Sequence, residues 1–176
     1  CTNCTRVFVH YSVKEKFMDE LVRKTNKLKL GDPMDLDTQI GSLISLDHKE
    51  KVLSYINKGI SSGATILTGG SHPFNNKLDE GAFVRPTIFD GCTDDMDIVK
   101  DEIFGPVMSV LTFKNEEEVI SRANNTIYGL AAGIFTKDLN RAHRVIGKLE
   151  SGICWINTYN YYPIDMSAGG FKQSGI

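Results

Sequence analysis

No stretch of this 176-residue sequence approaches the roughly 20 apolar residues that a membrane-crossing helix needs. Its apolar segments, such as Gly129 to Phe135, are far shorter, and no charged region followed by an apolar one opens the chain. A membrane or secretory reading is excluded on those patterns. Charge of one sign is also missing: 20 Lys+Arg stand against 22 Asp+Glu, a formal net charge of −2. That balance leaves no surplus for phosphate backbones, so nucleic acid is not an expected partner. Four cysteines are too few for a disulfide scaffold, and a reducing, cytoplasmic setting follows as the expectation. Neither G-x-G-x-x-G after a strand nor G-x-x-x-x-G-K-[ST] occurs, so any dinucleotide has to be held mostly by residues elsewhere. No internal repeat or low-complexity tract is present.

What is present is enough for about one domain of ordinary size, with 41% apolar residues to build its core. The chain opens at Cys1 without an initiator methionine and stops at Ile176 without a cap or polar tail, so it is expected to be a piece of something larger. Val7-Phe8-Val9 reads as a short strand, and Ser12-Val13-Lys14-Glu15 matches a capping box that starts a helix. Phe17, Met18, Leu21, Val22, Thr25 and Leu28 keep helical spacing up to a stop at Gly31. A second helix is expected from Asp47 to Ile60, with Val52, Leu53, Ile56 and Ile60 on one side, and a strand from Ala64 to Leu67.

After a polar loop containing Gly69-Gly70 and Asn75-Asn76, Phe83 to Phe89 reads as a strand interrupted at Pro86, hence at a sheet edge or bulged. Val107 to Phe113 is a strong strand, and Asn115 to Glu118 is a second capping box for a helix to Ala123. Leu130 to Thr136 is the next strand. Asp138 caps a helix with Leu139, Ala142, Val145, Ile146 and Leu149 inward and its end at Ser151-Gly152, and Ile153 to Ile156 is the last strand. Such alternation implies right-handed parallel crossovers: an α/β fold with an open, mainly parallel twisted sheet and helices on both faces. The tail from Asn160 onward reads as irregular.

Ligands in such sheets gather at the carboxyl ends of strands, which directs attention to the turns after Val9, Phe113, Thr136 and Ile156. Three stretches carry candidate chemistry. Cys1-Thr2-Asn3-Cys4 is a C-x-x-C, open to reading as half a zinc site, a redox pair or a coincidence. Zinc needs two further ligands, and Cys92, Cys154, His10, His48, His72 and His143 have no ligand spacing, so no metal is expected. Cys92 and Cys154 read best as small buried hydrophobes. Asp101-Glu102-Ile103-Phe104-Gly105-Pro106 places a carboxylate and an aromatic in a rigid turn, against the plainer alternative of a solvated Glu beside a core Phe. Gly152 to Pro163 ends a strand in an aromatic-rich loop, either a pocket wall or surface packing.

Together these stretches resemble the aldehyde dehydrogenase superfamily, and most closely its betaine aldehyde and trimethylaminobutyraldehyde dehydrogenases. The resemblance is carried by Cys1-Thr2-Asn3 with Thr5-Arg6-Val7-Phe8-Val9, by Glu102-Ile103-Phe104-Gly105-Pro106-Val107, and by Tyr128-Gly129-Leu130-Ala131-Ala132-Gly133. Gly152-Ile153-Cys154-Trp155-Ile156-Asn157 and Gly169-Gly170-Phe171-Lys172-Gln173-Ser174-Gly175 complete it. It implies that residues 1–176 are a truncated catalytic domain, without the coenzyme domain and the oligomerisation strand.

The resemblance further implies that Cys1 is the catalytic thiol, that Glu102 binds the nicotinamide ribose of NAD or NADP, and that Phe104 packs by the nicotinamide. Tyr159 falls where betaine-type enzymes face a trimethylammonium group, and Tyr161 and Tyr162 extend the pocket wall. The family's hydrolytic Glu and oxyanion Asn lie before the nucleophile and are not among these residues. A small-molecule aldehyde substrate and a homo-oligomer, dimer or tetramer, are the implied partners. The isolated piece is expected to be inactive. Cys4 stands where the family usually has Gly, which adds a side chain near the reactive sulfur and raises a Cys1-Cys4 disulfide as a possibility; Ser167-Ala168 also departs from the common pattern. An amino-terminal cysteine hydrolase and a non-catalytic remnant are the competing functions.

Overall fold

A computed structural model describes residues 1–71 and 77–175. The expected loop residues Asn75 and Asn76 lie outside the described residues, as does His72. The chain divides into two units: residues 5–112, and residues 1–4 with 113–176.

In the larger unit, β1 (Arg6–His10), β2 (Thr65–Thr68), β3 (Thr87–Asp90) and β4 (Val107–Phe113) form a sheet in the order β1-β4-β3-β2. β3 and β4 run parallel, with Thr87 opposite Val107 and Phe89 opposite Ser109, whereas β2 and β3 run antiparallel with a register shift between Ile66 and Thr68. Alternation along the strands sends side chains to two faces. Phe89, Val107 and Leu111 pack with Val52 and Ile56 of α2 (Leu46–Ser61) and with Ile98 and Val99 of α3 (Asp97–Lys100). Ile88, Val110 and Val9 pack with Met18 of α1 (Lys14–Thr25). Helices therefore cover both faces of this sheet, as the sequence pattern implies.

In the smaller unit, β5 (Ala131–Ile134) and β6 (Ile153–Ile156) pair in parallel and in register from Ala131 opposite Ile153 to Ile134 opposite Ile156. They are accompanied by α4 (Glu116–Asn124) and α5 (Leu139–Ile146), the latter burying Ala142 and Val145. Glu116 joins the two helices by a bidentate pair with Arg144, at 2.6 and 2.8 Å, which holds its carboxyl below the usual range. The segment after Asn160 is irregular, apart from a short 3-10 turn at Lys172–Ser174.

Several boundaries differ from the sequence pattern for identifiable reasons. The Ser12 capping box does not form: a 3-10 turn at Tyr11–Val13 precedes α1, and the His10 ring, not the Glu15 carboxylate, accepts from the Ser12 amide. α1 ends at Thr25, six residues before Gly31, because Leu30 bridges to Ile40 and the Gly31 amide donates to the Ile40 carbonyl. β3 is an interior strand, not an edge: Pro86 lies just before it, where no ladder donor is needed, and the Thr87 amide donates to the Pro106 carbonyl. Ile60 and Leu139 are 49% and 64% exposed, so neither joins the buried stripe of its helix. α5 stops at Ile146, with Gly147 at its C-cap, before Ser151-Gly152 is reached.

The caps expected at Asn115 and Asp138 form, and Ser45, which the sequence pattern did not mark, caps α2. Ser45 accepts from the His48 amide, Asp138 from the Arg141 amide and Asn115 from the Glu118 amide, while the Glu118 carboxylate returns to the Lys114 amide at 3.0 Å. The three side chains satisfy donors that the first turn of each helix leaves orphaned, but the box at Asn115 is shifted, since Glu118 takes the Lys114 amide in place of the Asn115 amide. Asn115→Ala should therefore cost about 1 kcal/mol of stability, read as a lowered denaturant midpoint; an unchanged midpoint would contradict the role of this cap.

Candidate active site

The smaller unit brings Cys1–Cys4 to the loop that follows β6. Asn157 sets the direction of that loop: its φ is +54°, which Asn tolerates better than most residues, and its amide donates to the Ile134 carbonyl. Its side chain closes the ends of β5 and β6 by accepting from the Thr136 amide and donating to the Thr136 carbonyl, both at 2.9 Å. Two side-chain bonds then tie the loop to the first residues. The Thr2 hydroxyl donates to the Asn160 amide oxygen at 2.7 Å, and the Tyr159 hydroxyl is hydrogen-bonded to the Cys4 sulfur.

Tyr159 is fixed from behind as well. Its ring lies 4.7 Å from that of Trp155, and a Cβ on Gly133 would come within 2.8 Å of it, so glycine in β5 makes room for the ring. Trp155 is buried and donates its indole N–H to the Tyr161 carbonyl at 2.8 Å, and Tyr162 meets it edge-on at 5.3 Å. The result is a cluster of Trp155, Tyr159 and Tyr162, with Tyr161 66% exposed beside it. Trp155 is the member that sequence reasoning did not single out, although a lone tryptophan in a short strand before three tyrosines was a usable signal.

The cysteines separate by environment. All four are free thiols, so no Cys1-Cys4 disulfide is present. Cys1 is exposed. Burial pushes the Cys4 thiol up, partly offset by its bond to Tyr159, and burial together with the neighbouring Cys4 pushes the Tyr159 phenol up too. Cys92 is buried and its thiol is pushed up to about 11, mainly by burial. Cys154 is only half-buried, contrary to expectation, and its thiol points to the Ser151 carbonyl at 3.8 Å. Among the described residues, no group of three or more His, Cys, Asp or Glu side chains is arranged to hold a metal ion.

Glu102 and Phe104 belong to the larger unit. Their turn precedes β4, so it sits at that strand's amino end and not at a carboxyl end, where the general rule for parallel sheets points. Ile103 is inserted into the core beside Val52, and a Cβ on Gly105 would meet the Val52 methyls at 2.7 and 2.9 Å. Between these two anchors Phe104 adopts φ +58°, a conformation that costs a bulky residue on the order of 1 kcal/mol or more. The outcome is that the Phe104 ring is 54% exposed instead of joining the core, and the Glu102 carboxylate is exposed with no ion pair among the described residues. The stiff turn thus presents a carboxylate and a ring at the surface.

Known proteins resemble this chain over its whole length. The model of the aldehyde dehydrogenase family matches residues 1–176. Betaine aldehyde dehydrogenase of Brucella anthropi is 54% identical over 176 residues, covering 100% of this chain and 36% of that protein. Among solved structures, betaine aldehyde dehydrogenase from Staphylococcus aureus in complex with NAD+ superposes with a TM-score of 0.96 at 43% identity, covering 100% of this chain and 35% of that one. The NAD+ complex of aldehyde dehydrogenase from Bacillus cereus gives a TM-score of 0.92 at 48% identity, covering 98% and 34%. The chain thus spans about a third of the length of the relatives it matches. With the thiol, the Glu102–Phe104 turn and the aromatic loop all falling inside a match that runs from its first residue to its last, the chain belongs to the aldehyde dehydrogenase family.

Proposed function

We propose that the protein carrying this chain oxidises an aldehyde to the carboxylic acid with NAD+ as the acceptor, and that its substrate is betaine aldehyde or a related trimethylammonium aldehyde. The observation that carries this reading is the likeness, over the whole chain, to betaine aldehyde dehydrogenases. In it, the chain supplies the thiol-bearing catalytic domain, and most of the coenzyme contacts come from residues beyond it, consistent with the absence of a phosphate-binding loop. Assembly into a homo-oligomer belongs to the same proposal.

Cys1 is the nucleophile. Its thiolate adds to the aldehyde carbonyl carbon and gives a tetrahedral thiohemiacetal. Bound NAD+ would supply the acceptor for the hydride of that carbon. The thioester left on Cys1 is then hydrolysed, which releases the acid and restores the thiol. Glu102 would accept hydrogen bonds from the ribose hydroxyls of that coenzyme, and Phe104 would pack against its nicotinamide. Cys4, raised by burial and bonded to Tyr159, stays a protonated thiol and does not compete as a nucleophile.

The aromatic loop supplies substrate preference. A ring face attracts a desolvated quaternary ammonium group, and Trp155 holds Tyr159 in one orientation while Tyr161 and Tyr162 extend the wall. Nothing in this cluster carries a negative charge, so the recognition rests on ring faces.

In the complete protein, Cys1→Ser is expected to abolish dehydrogenase turnover while NAD+ still binds, since a serine hydroxyl does not ionise to an equivalent nucleophile near neutrality. Retained turnover in that variant would remove Cys1 from the reaction. Tyr159→Ala is expected to erase the preference for trimethylammonium aldehydes over alkyl aldehydes of equal length, a loss of about 0.5 to 2 kcal/mol in the ratio of kcat/KM values. Equal kcat/KM for charged and neutral aldehydes in the unaltered protein would leave only the aldehyde dehydrogenase reading.

A further inference from the structure

We propose that His48 is a positioning residue for coenzyme binding: it holds the Glu102–Phe104 turn in its working conformation from α2. The inference rests on the coenzyme role proposed for that turn. His48 lies in the first turn of α2, two residues after Leu46, and its amide is already used in the cap by Ser45. Its ring reaches across to the Phe104 carbonyl, with Nε2 at 2.7 Å. A carbonyl oxygen only accepts, so Nε2 must carry the proton and donate. The same imidazole meets the Phe104 ring edge-on, with centroids 6.4 Å apart and planes at 68°. One side chain therefore engages both the backbone oxygen and the ring of the residue that has φ +58°.

The other restraints on this turn do not replace that contact. Ile103 and the Val52–Gly105 packing fix the positions on either side of Phe104, but they act on neighbouring residues. A bulky residue in the left-handed region relaxes toward negative φ unless something holds it, and rotation there swings the ring away. Among the described residues, the His48 bond acts on the strained residue itself. Glu102 is affected too, because the two side chains leave the same turn separated by the inserted Ile103.

The protein to test is the complete enzyme that contains this chain. Hydrogen exchange at the amides of residues 103–105 is measured without coenzyme, together with NAD+ affinity and the KM for aldehyde, in His48→Ala and in His48→Gln, whose amide N–H still donates. His48→Ala should raise exchange at these amides by about 5- to 10-fold and weaken NAD+ by a similar factor, the worth of one hydrogen bond. Aldehyde KM should change less than about twofold. His48→Gln should recover most of both losses. If His48→Ala does not fold, His48→Leu against His48→Gln makes the same comparison. Unchanged exchange overturns the proposal, even with weakened NAD+, since His48 would then act on the coenzyme directly and not through the turn. Glu102→Ala with unaltered NAD+ affinity would instead overturn the coenzyme role of the turn, and the role of His48 with it.

Discussion

The buried contact between α2 and the sheet is the constraint on which the larger unit depends. Val52 and Ile56 are completely buried, as are Phe89 of β3 and Leu111 of β4 on the facing surface. Removing that much apolar side chain from water is worth roughly 1.5 to 3 kcal/mol per residue, more than any surface ion pair in this protein contributes. The Glu102–Phe104 turn, proposed above to meet the coenzyme, is a by-product of the same packing. Val52 occupies the space that a side chain at position 105 would need, and Ile103 fills the adjoining core, so the backbone between them has little choice. α2 is consequently both a core element and the support of Glu102 and Phe104.

The smaller unit solves a similar problem with polar ties. Its strands are short, and polar bonds add to the ring packing that holds the loop after β6. Asn157 locks its start, the Trp155 indole N–H reaches the Tyr161 carbonyl, and Thr2 and Cys4 reach across to Asn160 and Tyr159. These bonds connect the residue next to the proposed nucleophile with the residue next to the proposed cation-facing ring. Cys4, which departs from the usual glycine, thereby finds a partner instead of standing as a spare thiol.

Much of this was legible in the sequence, and the reasons are local. The caps at Asn115 and Asp138 were readable because a short polar side chain and the amide three residues on belong to one turn of chain. The strand Val107–Phe113 was readable because its β-branched and aromatic run has no competing signal. Ser12 failed because His10, two residues earlier, took the amide first, and Pro86 misled because it stands just outside an interior strand. At the site, Cys1, Glu102 and Phe104 came from resemblance. The contacts of His48 with Phe104 and of Cys4 with Tyr159 link positions 56 and 155 residues apart, and no spacing rule reaches that far.

The central claim is that Cys1 carries the acyl group during aldehyde oxidation. The complete protein is mixed with NAD+ and a trimethylammonium aldehyde, quenched in acid within one turnover and digested, and the peptide that contains Cys1 is weighed. The account predicts an acyl adduct on Cys1 that rises and decays with the turnover. An adduct on Cys4, Cys92 or Cys154 in its place, or turnover that proceeds with Cys1 alkylated beforehand, would contradict it.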